Sequence, residues 1–445
     1  MNALTSRPAD RIAGTIQVPG DKSISHRALI IAAMAVGETA ITGLLEGEDV
    51  MATAAALDAL GVASRRDDDG TWRVSGVGVG GLAEPDRVLD LGNSGTAARL
   101  LIGLLATHPF TSFLTGDASL RRRPMARVTE PVARMGAQVL ARSGTRLPLS
   151  LIGAADPVPI VYELPVPSAQ IKSAILLAAL NTPGETTVIE NRPSRDHTEL
   201  LLRAFGADVR VANRAAGGHA ITVTGQPELD PRPIAVPGDP SSAAFPGVAA
   251  LVVPGSEVTV QGVGLNPTRT GLLQTLAEMG ANIDIADTTD GPGEQLGDIT
   301  FRAGPLHGVD VPAERAPSMI DEYPILAVAA SCARGTTRMQ GLAELRVKES
   351  DRLAAIADGL QTAGVEASID GDSLIVEGCA GRPPGGGRIA SCLDHRIAMS
   401  FLVMGLAAEQ PIAIDDGGVI DTSFPGFAAM MNRLGAAIAP IDDDG

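Results

Sequence analysis

Six times along the 445 residues, at a spacing of roughly 70 to 80, a short Gly/Pro/Ser-rich segment runs into an Ala/Leu-rich stretch of helical character. The openings are Val18-Pro-Gly-Asp-Lys-Ser, Leu91-Gly-Asn-Ser-Gly-Thr, Val166-Pro-Ser-Ala-Gln, Val236-Pro-Gly-Asp-Pro-Ser-Ser, Ala316-Pro-Ser-Met-Ile-Asp-Glu and Ser391-Cys-Leu-Asp-His-Arg. Most continue through a turn into an alternating strand such as Thr186-Thr-Val-Ile-Glu or Glu257-Val-Thr-Val-Gln. A second helix follows and stops in phase at Leu60-Gly61, Met135-Gly136, Phe205-Gly206, Met279-Gly280, Ala363-Gly364 and Leu434-Gly435. Glycine just past a helix takes the left-handed conformation without strain, so each is a stop signal. Helix, strand, helix, strand, repeated six times, predicts a mixed α/β repeat fold, and the close echo of the first opening in the fourth predicts two halves of three units.

The core of such units must come from Ala, Val, Leu and Ile, since hydrophobic residues make up 45% of the chain and aromatic ones only 2%. So few aromatics argue against a stacking platform for nucleic-acid bases, and a net charge of -17 opposes binding to nucleic acid or an anionic membrane. The longest apolar run, around Ala28–Val36, is too short to span a bilayer, and Met1–Asp10 lacks the apolar region of a signal peptide, so a cytoplasmic location is expected. Cys332, Cys379 and Cys392 show neither CxxC nor metal spacing and are expected to be buried thiols. Asp287–Gly297 and Arg382-Pro-Pro-Gly-Gly-Gly read as exposed loops, Gly76–Gly80 as a further loop, and Ile441–Gly445 as a frayed end.

Of the 35 basic residues only Lys22, Lys172 and Lys348 are lysine, leaving 32 arginines. A lysine kept against that bias suits a role needing a compact ammonium, although biased composition alone could leave a few. Each opening, as a helix N-terminus, offers backbone N–H groups to an anion. Cations collect there: Lys22 and Arg27, Arg99 after Asn93-Ser-Gly-Thr96, Arg121–Arg123, then Arg346, Lys348 and Arg352, and Arg396. A solvated charge face accounts for any one of them but not for their recurrence at equivalent points of the repeat. Asp321, Glu322 and Glu349 are interleaved, as capping acids or as general acids and bases.

Taken together, Pro19-Gly-Asp-Lys-Ser-Ile-Ser-His-Arg27, Leu91–Arg99, Arg123-Pro, Pro167-Ser-Ala-Gln170, Arg346-Val-Lys-Glu-Ser-Asp-Arg352 and Asp394-His-Arg-Ile-Ala-Met399 resemble the 3-phosphoshikimate 1-carboxyvinyltransferases, over essentially the whole chain. The resemblance implies two domains of three βαβαββ units each (an inside-out α/β barrel of enolpyruvyl transferase type), 20–236 and 1–19 with 237–445, acting as a monomer without metal or cofactor. It implies transfer of the enolpyruvyl group of phosphoenolpyruvate to the 5-hydroxyl of shikimate 3-phosphate, at a site near Gly95 where the family's inhibitor glyphosate also binds. By position, Ser23, Arg27, Ser168, Ala169, Gln170 and Arg195 would hold shikimate 3-phosphate. Gly95, Thr96, Arg123, Arg352 and Arg396 would hold phosphoenolpyruvate, with Lys22 and Lys348 between the two. Asp321 would be the base, Glu349 and Lys22 the acid pair. Thr422-Ser-Phe-Pro, where many members carry a lysine, and Ser168-Ala-Gln in place of Ser-Ser-Gln resemble the family's second sequence class. Two rival readings are a UDP-N-acetylglucosamine enolpyruvyl transferase, whose loop cysteine is absent near Gly116–Arg121, and a non-catalytic anion-binding scaffold.

Overall fold

A computed structural model of the chain describes residues 2–215, 217–290 and 294–441. Among them lie six four-stranded sheets with the same wiring. In one, Leu89–Asp90 runs parallel to Thr111–Thr115, which pairs antiparallel with Arg146–Ile152, itself antiparallel to Gln138–Arg142. Gly95–Leu105 connects the first two strands and Ala126–Arg134 leads to the last two, so the unit is βαβαββ.

Three sheets are completed by strands from outside their own stretch of sequence. Ile234–Ala235 pairs parallel with Val36–Thr42 of the first unit. Ala13–Gln17 pairs parallel with Glu257–Gly264, and Leu4–Arg7 inserts between Ile412–Ile414 and Ala437–Pro440. These pairings explain why contacts divide the chain into Gly20–Val236 on one side and Met1–Pro19, Pro237–Asp290 and Gln295–Gly445 on the other. Each unit has its own apolar core, one including Leu101, Ile175 and Leu202, the other Val248, Leu326 and Leu402.

The opening helices Lys22–Met34, Gly95–Leu105, Ala169–Leu180, Pro240–Val252, Tyr323–Cys332 and His395–Ala407 are buried on nearly all sides, as helices apolar all round must be. Five begin at a capping side chain, with Asp21, Ser94, Ser168, Asp239 and Asp394 each accepting from a backbone N–H of the first turn. In the fifth opening the helix breaks after Ala316–Met319 and restarts at Tyr323, which leaves Asp321 and Glu322 at the break. The six glycine stops all have positive φ, from +76° at Gly364 to +110° at Gly136. A second recurring glycine went unread in the sequence. A Cβ on Gly76, Gly153, Gly225 or Gly378 would fall within about 2.2 Å of a carbonyl just past the preceding opening helix, so in those four units the last strand can lie against that helix only at a glycine.

Three sequence expectations need correction. Asp287–Gly297 is not one loop, because Asn282–Asp290 and Gln295–Arg302 are paired strands. A register shift after Ala286, with Asp287 at φ +50°, lets pairing resume at Thr289; residues 291–293 lie outside the described residues. Gly76 belongs to the strand Trp72–Val77, only Gly78–Gly80 forming the turn. The cysteines are not all buried: Cys332 is partly covered, but Cys379 ends a strand and Cys392 lies in a turn, both exposed. The acidic tail beyond Ile441 lies outside the described residues. No helix among them is long and apolar enough to cross a membrane.

Candidate active site

In Gly20–Val236, capping by Asp21 starts the first helix at Lys22, whose ammonium lies 3.0 Å from Asp49 on the next helix. One turn on, His26 is buried between Thr53 (2.7 Å) and Ser94 (3.5 Å). Burial, then Lys22 and Arg27, push its pKa well below the ordinary histidine value, so the ring is neutral. Buried Arg27 donates to Thr198 and Ser173, both at 2.7 Å, and to the Ser23 carbonyl at 2.9 Å.

Ser94 caps the opening helix Gly95–Leu105, so Gly95 and Thr96 form its first turn. Buried Arg123 donates to Asn93 and, at 3.1 Å, to Ser119. Its neighbours Arg121 and Arg122 are exposed and bond back to backbone carbonyls, an ordinary surface face. On the third opening, Ser168 caps and Gln170 donates to Thr96 (3.0 Å) while accepting from Arg99 (3.0 Å), which also reaches the Gly95 carbonyl (3.1 Å). Arg195 is partly exposed in the segment before His197–Ala204.

In the other unit, Arg352 begins its helix and is 1% exposed. Its guanidinium meets Asp394 through two N–H groups (2.7 and 3.2 Å), Asp321 (3.1 Å) and Glu349 (2.5 Å). Burial alone would weaken its hold on the proton, but Asp394, Glu349 and Asp321 raise its pKa above the ordinary arginine value. Lys348 lies 3.5 Å from the same Asp321 oxygen, and Arg396 donates to the Asp321 carbonyl at 3.3 Å. Buried Glu322 accepts from Ser241, which also accepts from Arg269 (2.8 Å). The missing lysine has a local counterpart: Thr422 bonds the Val419 carbonyl and lies 3.2 Å from His395 Nδ1.

Each unit thus gathers its own share of the residues singled out in the sequence: Lys22, Ser23, Arg27, Gly95, Thr96, Arg123, Ser168, Ala169, Gln170 and Arg195 in one, Asp321, Lys348, Glu349, Arg352 and Arg396 in the other. The partners Asp49, Asn93, Thr198, Ser241 and Asp394 were not legible in sequence as such, because each lies far along the chain from the cation it meets.

Residues 6–431 match the family described as EPSP synthase (3-phosphoshikimate 1-carboxyvinyltransferase). The chain belongs to that family. It is 63% identical over 436 residues to the 3-phosphoshikimate 1-carboxyvinyltransferase of Paramagnetospirillum magneticum, covering 98% of each. It is 61% identical to that of Rhodospirillum rubrum, covering 97% of this chain and 96% of the relative. The solved EPSP synthase of Acinetobacter baumannii superimposes with a TM-score of 0.85 at 43% identity over 99% of this chain and all of that one. The enolpyruvyl transferase NikO of Streptomyces tendae (TM-score 0.80, 99% of each chain, 19% identity) shares the fold. The chain is therefore an enzyme of the EPSP synthase family, and family membership decides against both rival readings.

Proposed function

We propose that the chain carries out the family's enolpyruvyl transfer with the residues gathered above: phosphoenolpyruvate reacts at the 5-hydroxyl of shikimate 3-phosphate and phosphate leaves. Asp321 takes the hydroxyl proton as the oxygen bonds to C2 of phosphoenolpyruvate. Glu349 and Lys22 deliver a proton to the methylene carbon, which becomes a methyl group in a tetrahedral intermediate. Loss of a proton from that methyl then restores the double bond as the C2–O bond to phosphate breaks. Ser23, Arg27, Ser168, Ala169, Gln170 and Arg195 hold shikimate 3-phosphate. Arg123, Arg396 and the first turn at Gly95–Thr96 hold phosphoenolpyruvate, with Arg352 contributing the N–H that its carboxylate partners leave over. Lys22 and Lys348 are ammonium groups serving both substrates.

The observation that carries this reading is the clustering of Asp321 and Glu349 on the single buried guanidinium of Arg352, with Lys348 on Asp321. Two carboxylates held this rigidly beside cations are the equipment that proton transfer to and from an anionic substrate pair requires. A rapid-quench single turnover tests it. Wild type should form and consume a tetrahedral intermediate, whereas Asp321→Asn should bind both substrates and form none. An Asp321→Asn enzyme that forms the intermediate at the wild-type rate would remove Asp321 as the base.

A further inference from the structure

The third lysine has no part in the chemistry above, yet it is the most enclosed of the three. Lys172 is 0% exposed, near the start of the helix that Ser168 caps. Its ammonium meets Glu190 (3.1 and 3.2 Å), the Ser194 carbonyl (3.3 Å) and Glu199 (2.8 Å). An ammonium has three N–H groups, and all three acceptors come from one short stretch, the start, middle and end of residues 190–199. Glu190 tightens the loop further by accepting from the backbone N–H (3.2 Å) and the hydroxyl (2.7 Å) of Ser194. Burial works against the charge on Lys172 and raises the pKa of Glu199, but Glu199 and Glu190 together hold Lys172 charged.

That stretch presents Arg195 immediately after Ser194, and its Thr198 accepts from Arg27 and shares a hydrogen bond with Ser173 at 2.7 Å. A buried ion cluster is poor equipment for stability alone, since apolar side chains of similar volume often serve as well or better. What it can do is specify one position for the segment.

We infer that Lys172 is a positioning residue for the shikimate 3-phosphate subsite: by clamping residues 190–199 onto the helix that carries Ser168 and Gln170, it sets Arg195 and Thr198, and through Thr198 Arg27, where the 3-phosphate group is to be met. This rests on the substrate assignment proposed above.

The test compares Lys172→Met, Glu199→Gln and Arg195→Gln by steady-state kinetics with each substrate varied in turn, and by calorimetric titration with shikimate 3-phosphate alone. KM and Kd for shikimate 3-phosphate should rise about tenfold or more in Lys172→Met and about three- to tenfold in Glu199→Gln, while KM for phosphoenolpyruvate stays within about twofold and kcat within about threefold. If Lys172→Met does not fold, Glu199→Gln decides alone, because its amide keeps the shape and an acceptor. A folded variant with unchanged affinity for shikimate 3-phosphate, even one with lowered thermal stability, or one in which both substrates weaken equally, overturns the inference. Arg195→Gln separates the two levels. If it too leaves shikimate 3-phosphate affinity unchanged, the substrate assignment has failed; if it alone weakens that affinity, only the role of Lys172 has.

Discussion

Asp321 lies at the break in the fifth opening with two cations on one oxygen, so Asp321→Asn keeps the shape and removes the proton acceptor. The expected loss in kcat is about 10²- to 10⁴-fold with substrate binding retained, measured by turnover alongside calorimetric titration. Lys22→Arg should lower kcat by roughly tenfold or more, because the longer planar guanidinium, even if it still meets Asp49, cannot take the place of a compact ammonium or give up its proton. Gly95 is more constrained than the sequence suggested. A Cβ there would lie 2.7 Å from Arg123 Nη1 and 2.9 Å from Arg99 Nη1, so the methyl meets two guanidinium ends before any ligand. Gly95→Ala should therefore raise KM for phosphoenolpyruvate as well as the glyphosate inhibition constant, the latter more because that inhibitor is longer; inhibition curves for both proteins check this. His26 supplies a pH prediction. Its folded pKa lies below that of the unfolded chain, so as pH falls below about 6.5 the unfolded state takes up a proton that the folded state refuses, and stability is lost. Melting temperatures of wild type and His26→Gln across pH 7 to 5 should show a shallower decline in the variant.

At the scale of elements, the rules that worked were local. A capping side chain, an apolar run and a glycine stop can all be recognised within some twenty residues, and the six glycines with positive φ lie at the positions those rules assign. Long-range pairing could not be read in this way. Leu4–Arg7 looks like an unremarkable N-terminal stretch, yet it is an inner strand of its sheet, with partners on both edges at Ile412–Ile414 and Ala437–Pro440. Removing residues 1–8 should leave Ala437–Pro440 unpaired, cost Ile412–Ile414 one of its two neighbours, and lower the melting temperature by roughly 10 °C or more, whereas a frayed terminus would cost almost nothing; calorimetry on the truncated chain distinguishes them. The turn residues around Asp287 misled for a related reason. A bulge needs the same positive-φ tolerance as a turn, and only the partner strand at Leu296–Asp298 reveals which one is present.

For the whole molecule, the repeat made the fold legible, because one unit read six times compensates for the ambiguity of each reading. The candidate site was legible where the repeat concentrates cations at helix starts, as at Lys22, Arg27 and Arg396. It was not where a role depends on a distant partner: Arg99 entered only as one more cation, although it bridges Gly95 to Gln170, and Lys172, to which the resemblance gave no role, proved to be enclosed by carboxylates. The central claim is that this fold and these residues serve enolpyruvyl transfer to shikimate 3-phosphate. The most direct test is to incubate the purified chain with phosphoenolpyruvate and one acceptor at a time and measure phosphate release together with loss of phosphoenolpyruvate. One phosphate per phosphoenolpyruvate consumed, strictly dependent on shikimate 3-phosphate, is the predicted result; no release with that acceptor, or equal release with UDP-N-acetylglucosamine, would contradict it.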